Sequence, residues 1–298
     1  MKKTFRIFII NGAILTIFNF YCYASGVGTS TAEFLRIGIG ARPSAMGDAF
    51  IALADDAASL YWNPAGLAQL EKKEIFAMYN LWLEGINQGY ISFTFPFSLN
   101  NQFGIGINYV DMGILEGRDE HGNPTGNFGS SDIHLSLGYA KKFNKFCVGF
   151  TVGWLQDTIR EDKKSVFLGD IGLIYFINKH FNLGIVTQNI GTNLGTDVLP
   201  LIFKIGGNLK LKDLNFNIDI VKPEKEEISY HTGMEWWLKN ILVVRGGYKY
   251  DSAMATLGPL AGLTAGAGFK INIFDIDYAF VPYGDLGLTH RVSLTAKF

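Results

Sequence analysis

Residues 103-109 read Phe-Gly-Ile-Gly-Ile-Asn-Tyr, with large apolar side chains at every second position and glycine or asparagine between them. The same two-residue period recurs in 132-139, 214-221 and 259-270. Successive side chains of a β-strand point to opposite faces of the sheet, so each stretch predicts a strand with one apolar and one polar or small face. Charged residues fall on the small-residue face, namely Lys204, Asp219, Glu235, Arg245, Lys249, Asp275, Asp277 and Arg291.

Two architectures produce this alternation. A soluble β-sandwich turns its apolar face inward, whereas a transmembrane barrel turns it toward lipid and its polar face toward a lumen. The predicted strands are about ten to thirteen residues long, which exceeds the ~5–6 typical of globular proteins and satisfies the ~9–11 needed to cross a membrane. Tyrosines and tryptophans also gather near strand ends, as interfacial girdles do. Length and aromatic placement favour the membrane barrel, with the charged face in the lumen.

The alternating segments predict fourteen antiparallel strands between residues 74 and 298. They lie at 74-83, 87-98, 102-113, 130-141, 146-157, 165-178, 180-190, 199-211, 214-222, 227-238, 240-251, 259-270, 272-283 and 287-298. Even-numbered connections are tight, whereas most odd-numbered ones are longer, with 114-129 the longest and 158-164 another. This asymmetry is typical of outer-membrane barrels and places both termini in the periplasm. A miscount of one hairpin would give twelve or sixteen strands instead.

Composition excludes several other classes. The net charge of -1 offers no electrostatic footprint for nucleic acid. Beyond the N-terminal stretch no apolar run approaches ~18 residues, which excludes membrane-spanning helices. The histidines lack metal-binding spacing, and neither an HExxH nor a GxSxG motif occurs. We therefore expect no cofactor, no metal site and no enzyme activity.

Residues 1-24 have the layout of a secretory signal peptide, with a basic start, an apolar run over 7-21 and Ala24 at the cleavage site. An anchoring helix is the alternative, but the run is short for a span of ~20 residues and contains Asn11 and Asn19. We expect the mature chain to begin at Ser25. Cys147 would then be its only cysteine, so no intramolecular disulfide would form.

The C-terminal stretch 290-298 alternates and ends on Phe298. A last strand that ends on a terminal aromatic looks like the assembly signal read by the outer-membrane insertion machinery. An edge strand can also end in phenylalanine by chance. Together with the N-terminal signal and the upstream strands, we expect Phe298 to engage the barrel-assembly machinery during insertion.

Residues 25-73 differ from the rest because the two-residue period is lost and alanine and glycine dominate. We expect short helices starting near Pro43 and near Asp55 or Asp56. Such a segment is too small to fold alone. Its simplest place, ahead of a barrel over 74-298, is inside the lumen as an N-terminal hatch, or plug.

Two motifs in this segment carry a family resemblance. Residues 40-50 read Gly-Ala-Arg-Pro-Ser-Ala-Met-Gly-Asp-Ala-Phe and residues 62-67 read Trp-Asn-Pro-Ala-Gly-Leu. They resemble the hatch of the FadL-type outer-membrane channels and are most similar to the PorV/PorQ group. The matched hatch residues are Arg42, Met46, Gly47, Asp48, Asn63, Pro64, Ala65 and Gly66.

The resemblance implies two functions. FadL-type proteins pass hydrophobic small molecules, such as long-chain fatty acids, through a plugged barrel with a lateral opening. PorV-type proteins bind secretion-system proteins in type IX secretion. Pro96 lies within a predicted strand, where it cannot donate a ladder hydrogen bond, and is the candidate for the lateral opening. The alternative is that Pro96 only ends its strand near a periplasmic turn.

These inferences predict where the protein is found. Fractionation of cells should recover a mature chain that begins near Ser25 in the outer membrane, in contact with its lipids, with heat-modifiable mobility on gels. N-terminal sequencing of that band checks the cleavage site. Recovery of a soluble periplasmic protein would contradict the barrel.

Overall fold

The structure, a computed structural model, describes residues 31–195, 197–252, 254–258 and 260–298, so the predicted signal peptide lies outside the described residues. Fourteen strands in chain order form a closed antiparallel barrel, which confirms the predicted fold class. The strands are β1 (Glu74–Leu81), β2 (Asn87–Ser98), β3 (Asn101–Arg118), β4 (Pro124–Phe143), β5 (Phe146–Ile159), β6 (Asp162–Phe176), β7 (Phe181–Gly191), β8 (Ile202–Lys210), β9 (Leu214–Pro223), β10 (Ser229–Leu238), β11 (Leu242–Tyr250), β12 (Leu263–Ile271), β13 (Phe274–Pro282) and β14 (Leu288–Lys297).

The two faces of the wall have the polarity of a membrane barrel. In β3 the outward side chains of Ile105 and Ile107 are 47% and 45% exposed, whereas the inward Asn108 is only 1% exposed. The same inversion holds along the other strands, where exposed side chains are apolar and buried ones are polar or small. A sandwich would bury the apolar face, so this arrangement settles the choice between the two architectures.

Within the described residues seven short helices accompany the strands, four of them before β1. They are α1 (Glu33–Arg36), α2 (Ala41–Ala45), α3 (Ser59–Trp62), α4 (Pro64–Gln69), α5 (Leu83–Gly85), α6 (Met254–Thr256) and α7 (Gly284–Leu286). None of the helices in the described part of the chain is long and apolar enough to cross a membrane.

The barrel has two unlike ends. At one end, which we call the turn rim, β1 begins, β14 ends and the even-numbered connections are tight. At the other, the loop rim, lie the odd-numbered connections, which include the segments 192-201 and 251-262.

Residues 31–73, which we call the luminal segment, run through the barrel from one rim to the other. Thr31 donates its N–H to the Val198 carbonyl at 3.1 Å, at the loop rim. Lys73 exchanges backbone hydrogen bonds of 3.1 and 3.0 Å with Phe298 at the turn rim. The mature N-terminus predicted at Ser25 lies outside the described residues, so the placement of both termini in the periplasm stays a prediction. The C-terminus and the start of β1 do share a rim, but the first described residue lies at the opposite one, because the luminal segment spans the lumen.

The prediction that residues 114-129 form a long loop is wrong. Over residues 114-129, β3 and β4 continue as a paired hairpin, with registers from Ile114–Gly129 to Arg118–Pro124. Asp119 closes the turn by accepting hydrogen bonds from the N–H groups of His121 and Asn123 at 2.9 and 2.8 Å. The predicted loop 158-164 is likewise shortened, because β5 and β6 pair as far as Ile159 and Asp162. Polar composition in these stretches reflects exposure of a projecting hairpin rather than loss of strand structure.

Pro96 sits at the very end of its strand. The β2–β3 ladder is regular from Asn87 to Pro96, and its register shifts between Pro96 and Ser98, immediately before the turn. The β1–β2 ladder is also continuous from Glu74 to Leu81. A proline lacks the N–H that a ladder needs, which accounts for a bulge here. The distortion is thus confined to the turn rim, and up to Pro96 the ladders on both sides of β2 are regular.

Candidate functional site

The luminal segment approaches the wall most closely where the strands carry inward glycines. A Cβ built on Gly149 would lie 2.3 Å from the Pro64 carbonyl carbon, and one on Gly233 would lie 2.4 Å from the Met46 oxygen. Real Cβ atoms do not come this close, so only glycine admits the backbone of the segment at these points. The segment backbone comes similarly close to Gly184 and Gly247, whereas at other inward glycines a Cβ would meet side chains of the segment or atoms of the wall. Together these positions, in strands from β3 to β12, form what we call the glycine belt: Gly106, Gly138, Gly149, Gly172, Gly184, Gly206, Gly233, Gly247 and Gly266.

The turn at Asn63-Pro64-Ala65-Gly66 is held by hydrogen bonds of the Asn63 side chain, one within the turn and one to a neighbouring part of the luminal segment. The Asn63 side chain, fully buried, accepts from the Ala65 N–H at 3.2 Å and donates to the Ile51 carbonyl at 2.9 Å. It thereby caps α4, whose first residue is Pro64. A Cβ on Gly66 would lie 2.1 Å from the Ala54 carbonyl oxygen, so this position has no room for a side chain.

The second motif, around Met46, Gly47 and Asp48, contacts the opposite part of the wall. Met46 is fully buried, and its sulfur lies 3.8 Å from the Asn217 amide nitrogen. The Gly47 N–H donates to the Thr264 hydroxyl at 2.9 Å, with a φ of 63° that favours glycine. The two motifs therefore bind the segment to both halves of the barrel.

A buried ion cluster is the strongest polar contact between segment and wall. Arg42 on α2 donates to Glu235 of β10 at 2.7 and 3.0 Å, and also contacts Asp55 and Asp56 at 2.7 and 2.9 Å. Burial alone would lower the pKa of Arg42, but the carboxylates of Asp55, Glu235 and Asp56 raise it well above its ordinary value. Bidentate guanidinium–carboxylate geometry makes such a pair directional as well as strong.

Glu235 continues the cluster into the wall. It accepts from Arg245 at 2.9 Å, and Arg245 in turn donates to Asp277 at 2.6 Å. Asn215 adds a hydrogen bond of 2.8 Å to Glu235. Three of the predicted lumen charges are thus assembled around one hatch-motif residue, and each buried charge has a partner.

The remaining lumen charges contact the luminal segment or their own neighbours. Asp219 accepts hydrogen bonds from the Phe50 and Ile51 N–H groups at 2.7 and 3.0 Å. The Lys204 ammonium lies 4.9 Å from the centre of a Trp62 ring. Arg291 donates to the Gly38 carbonyl at 2.9 Å. Asp275 pairs with Lys297 at 3.3 Å, because Asp275 lies opposite Thr295 in the β13–β14 register and Lys297 is its diagonal neighbour on the same face.

Asp48 and Lys249 form a further link between segment and wall, at 3.4 Å. Burial would raise the pKa of Asp48, but the charges of Lys249 and Arg291 outweigh it and lower that pKa. A carboxyl group with a lowered pKa in the folded state contributes stability above its unfolded value near ~4 and loses it as the pH falls. The link therefore holds at neutral pH.

Two cavities lie at opposite ends of the luminal segment. The turn-rim cavity, about 170 Å³, is polar and includes Arg42, Asp56, Glu235, Arg245 and Lys297. The loop-rim cavity, about 410 Å³, has mainly apolar walls, and its lining also includes the charged residues Glu33, Arg36, Asp48, Lys249 and Asp251. Its apolar lining comprises Phe34, Ile37, Trp82, Ile86, Val110, Met112 and Met254.

Between the cavities the lumen is filled. Buried apolar side chains of the segment, including Phe50, Leu60 and Leu67, pack in one cluster with wall residues such as Met78 and Ile174. The segment therefore separates a polar cavity from an apolar one. Among the described residues, no group of three or more His, Cys, Asp or Glu is placed to hold a metal ion.

Sequence reasoning missed two features of this site. The glycine belt was visible as glycine on the polar parity of successive strands, but the glycines were taken only as small-face residues. Lys297 lies on the lumen face of the last strand, on the same parity as Arg291, which is the sequence signal for its inward position. Pro96 lies outside both cavities and does not contribute to this site.

No family model matches the sequence, and no curated protein matches it either. Solved structures do match in fold. The Ralstonia pickettii toluene transporter TbuX matches with a TM-score of 0.64 at 14% identity, over 88% of this chain and 98% of that chain. The Pseudomonas putida toluene transporter TodX gives 0.62 at 14%, over 87% and 96%. A Pseudomonas aeruginosa FadL homologue gives 0.56 at 10%, over 84% and 95%. The chain therefore shares the barrel fold of these two toluene transporters and of the FadL homologue.

The ion cluster predicts how firmly the segment is held. Arg42→Met keeps an apolar stem but leaves three buried or half-buried carboxylates without this cation, which should cost about 3–5 kcal/mol of unfolding free energy. Denaturant titration of the refolded barrel in detergent measures the loss, and limited proteolysis should cut within residues 31–73. Arg118→Met is the matched control, because its pair with Glu116 is more than half exposed and is worth about 0–1 kcal/mol. Equal losses in the two variants would contradict this role.

Proposed function

We propose that the protein is an outer-membrane channel for hydrophobic small molecules, in which residues 25-73 act as a hatch within the barrel 74-298. The observation that carries the proposal is the loop-rim cavity. Its volume of about 410 Å³ falls within the ~300–1,000 Å³ of small-molecule sites, and its walls are mainly apolar. Two structural neighbours are described as toluene transporters, which supports the same class of ligand.

The hatch gives this channel a closed resting state. A ligand in the loop-rim cavity meets Phe34 and Ile37 of the luminal segment, and beyond them the packed cluster around Phe50 and Leu60. Passage along the barrel axis would also have to cross the charged cluster at Arg42, which is costly for an apolar molecule. Movement of the hatch, or exit through the wall, is therefore part of the proposal.

The wall offers a better lateral exit than Pro96. An apolar hollow of about 440 Å³ lies on the lipid-facing side of the wall at Ala77 and Gly89. Because these two residues are small, Met78 and Tyr90 of the lumen face also line the hollow. It is lined by residues of β14, β1, β2 and β3, and the loop-rim cavity is also lined from β3 and from the β1–β2 connection. Separation of β1 from β2 at this hollow would open a path from the loop-rim cavity to the surrounding lipid.

The alternative from the PorV/PorQ resemblance is a barrel that binds proteins of a type IX secretion system. Such a role calls for an exposed docking surface at the loop rim. The odd-numbered connections are mostly short hairpins, and Leu194 and Leu199 of the 192-201 connection are buried against Phe34 and Leu35 of the luminal segment. This arrangement favours the channel.

Filling the loop-rim cavity tests the ligand. Val110→Phe adds a ring to a wholly buried position in the lining and should slow uptake of toluene or dodecanoic acid by cells severalfold. Val148→Phe, on the lipid face, is the matched control and should leave uptake unchanged. Uptake of radiolabelled ligand by cells with equal amounts of heat-modifiable barrel is the measurement. Equal uptake by both variants would overturn the assignment of this cavity.

Removing the hatch tests the resting state. Deletion of residues 26-70 should turn a nearly non-conducting barrel into one with large single-channel conductance in planar bilayers, because the lumen loses its filling. Heat-modifiable mobility shows that the shortened protein has folded. An intact protein that conducts freely, or a folded deletion variant that stays closed, would contradict the hatch.

A further inference from the structure

The two rims of the barrel carry exposed charges of opposite sign. At the turn rim the exposed acidic residue is Glu71, while Asp213 is half-buried beside Lys212. The exposed lysines there, which we call the lysine ring, are Lys72, Lys73, Lys142, Lys145, Lys179, Lys210, Lys212, Lys239 and Lys270. At the loop rim exposed acidic residues predominate, namely Glu33, Glu84, Asp111, Glu116, Asp119, Glu120, Glu161, Asp162, Asp197, Glu224, Glu227 and Asp285.

Solubility of the turns does not account for this separation. Both rims have exposed connections, and hydration is satisfied by either sign of charge or by asparagine and serine. A ring of one sign on one rim repels itself, which disfavours the folded barrel unless opposite charge lies nearby. The described turn rim supplies few carboxylates, so the compensating charge is expected from outside the chain.

The lysine ring follows the perimeter of the barrel. Exposed lysines occur at the entry to β1 and at or beside five of the six turn-rim connections. The exception is the β2–β3 turn, where Leu99 is fully exposed. A ligand that contacts this ring must therefore surround the barrel, as the lipids of one leaflet do.

Aromatic residues fix the depth of the ring. Exposed rings lie at the same rim, next to the lysines: Phe143, Phe146, Trp236, Phe269 and Phe274. The Lys141 ammonium lies 5.0 Å from the centre of the Phe143 ring, and that of Lys142 lies 5.7 Å from Phe176. Aromatic girdles mark the interface of a membrane, and lysine stems extend from the apolar region to place their charge among the headgroups.

We propose that the lysine ring binds the phosphates of anionic phospholipids in the leaflet at the turn rim. Polybasic segments are attracted to anionic lipid surfaces, and the attraction is screened over about 10 Å at 0.1 M salt. The ring thereby selects the lipids around the barrel and orients the protein, with its acidic loop rim on the opposite side. This role is independent of what the lumen transports.

The test uses the complete mature protein in vesicles that contain brominated phosphatidylglycerol or brominated phosphatidylcholine. Bromine quenches nearby tryptophan, and Trp236, half exposed on the lipid face near the turn rim, reports on the adjoining lipid. The test variant carries Lys142→Gln, Lys179→Gln, Lys212→Gln and Lys239→Gln. The control variant makes the same change of charge at the loop rim, with Arg118→Gln, Lys163→Gln, Lys164→Gln and Lys225→Gln.

Native protein and control should prefer phosphatidylglycerol by about threefold or more at low salt, and the preference should vanish near 1 M salt. The test variant should quench almost equally with both lipids. A preference that survives in the test variant, or is absent from the native protein, overturns the proposal. Absence of the preference from the native protein would mean that the lysine ring binds an acidic protein instead. Heat-modifiable mobility and transport of ligand should be unchanged in both variants.

Discussion

Closure of the barrel is the constraint on which the rest of the structure depends. No water reaches the hydrocarbon region, so every backbone N–H and carbonyl of the wall must find a partner within the wall. Pairing of β1 with β14, from Glu74–Lys297 to Leu81–His290, removes the two edges that an open sheet would expose. Closure also fixes the interior as a space of limited width, which the chain then has to fill or leave to water.

The luminal segment fills that space with unlike chemistry along its length. Near the loop rim it contributes Phe34 and Leu35 to an apolar cluster, and near the turn rim it brings Arg42 to the carboxylates of Glu235 and Asp56. Apolar burial at one end and paired charge at the other favour a single placement, because a shifted segment would leave charges unpaired. Specific placement is what a closed resting state requires.

Sequence alone predicts the wall well and its contents less well. A two-residue period with charge on the small face determines the direction and number of the strands and the face on which each side chain lies. This works because lipid imposes the same pattern on every strand. The hairpin over 114-129 was missed because beyond the membrane the wall no longer needs apolar residues on its outer face. Pairs such as Arg42 with Glu235 are separated by 193 positions, and no periodicity encodes which cation meets which carboxylate.

The glycine belt has a consequence for the size of the bore. In most barrels of this strand number, inward side chains narrow the passage, so the free width is well below the width between backbones. Here Gly149, Gly184 and Gly233 present bare backbone, and the volume that side chains would take is occupied by the backbone of the luminal segment. The wall alone therefore encloses a wider bore than its fourteen strands would suggest. Small displacements of the filling segment change the free cross-section more than they would in a barrel lined by side chains.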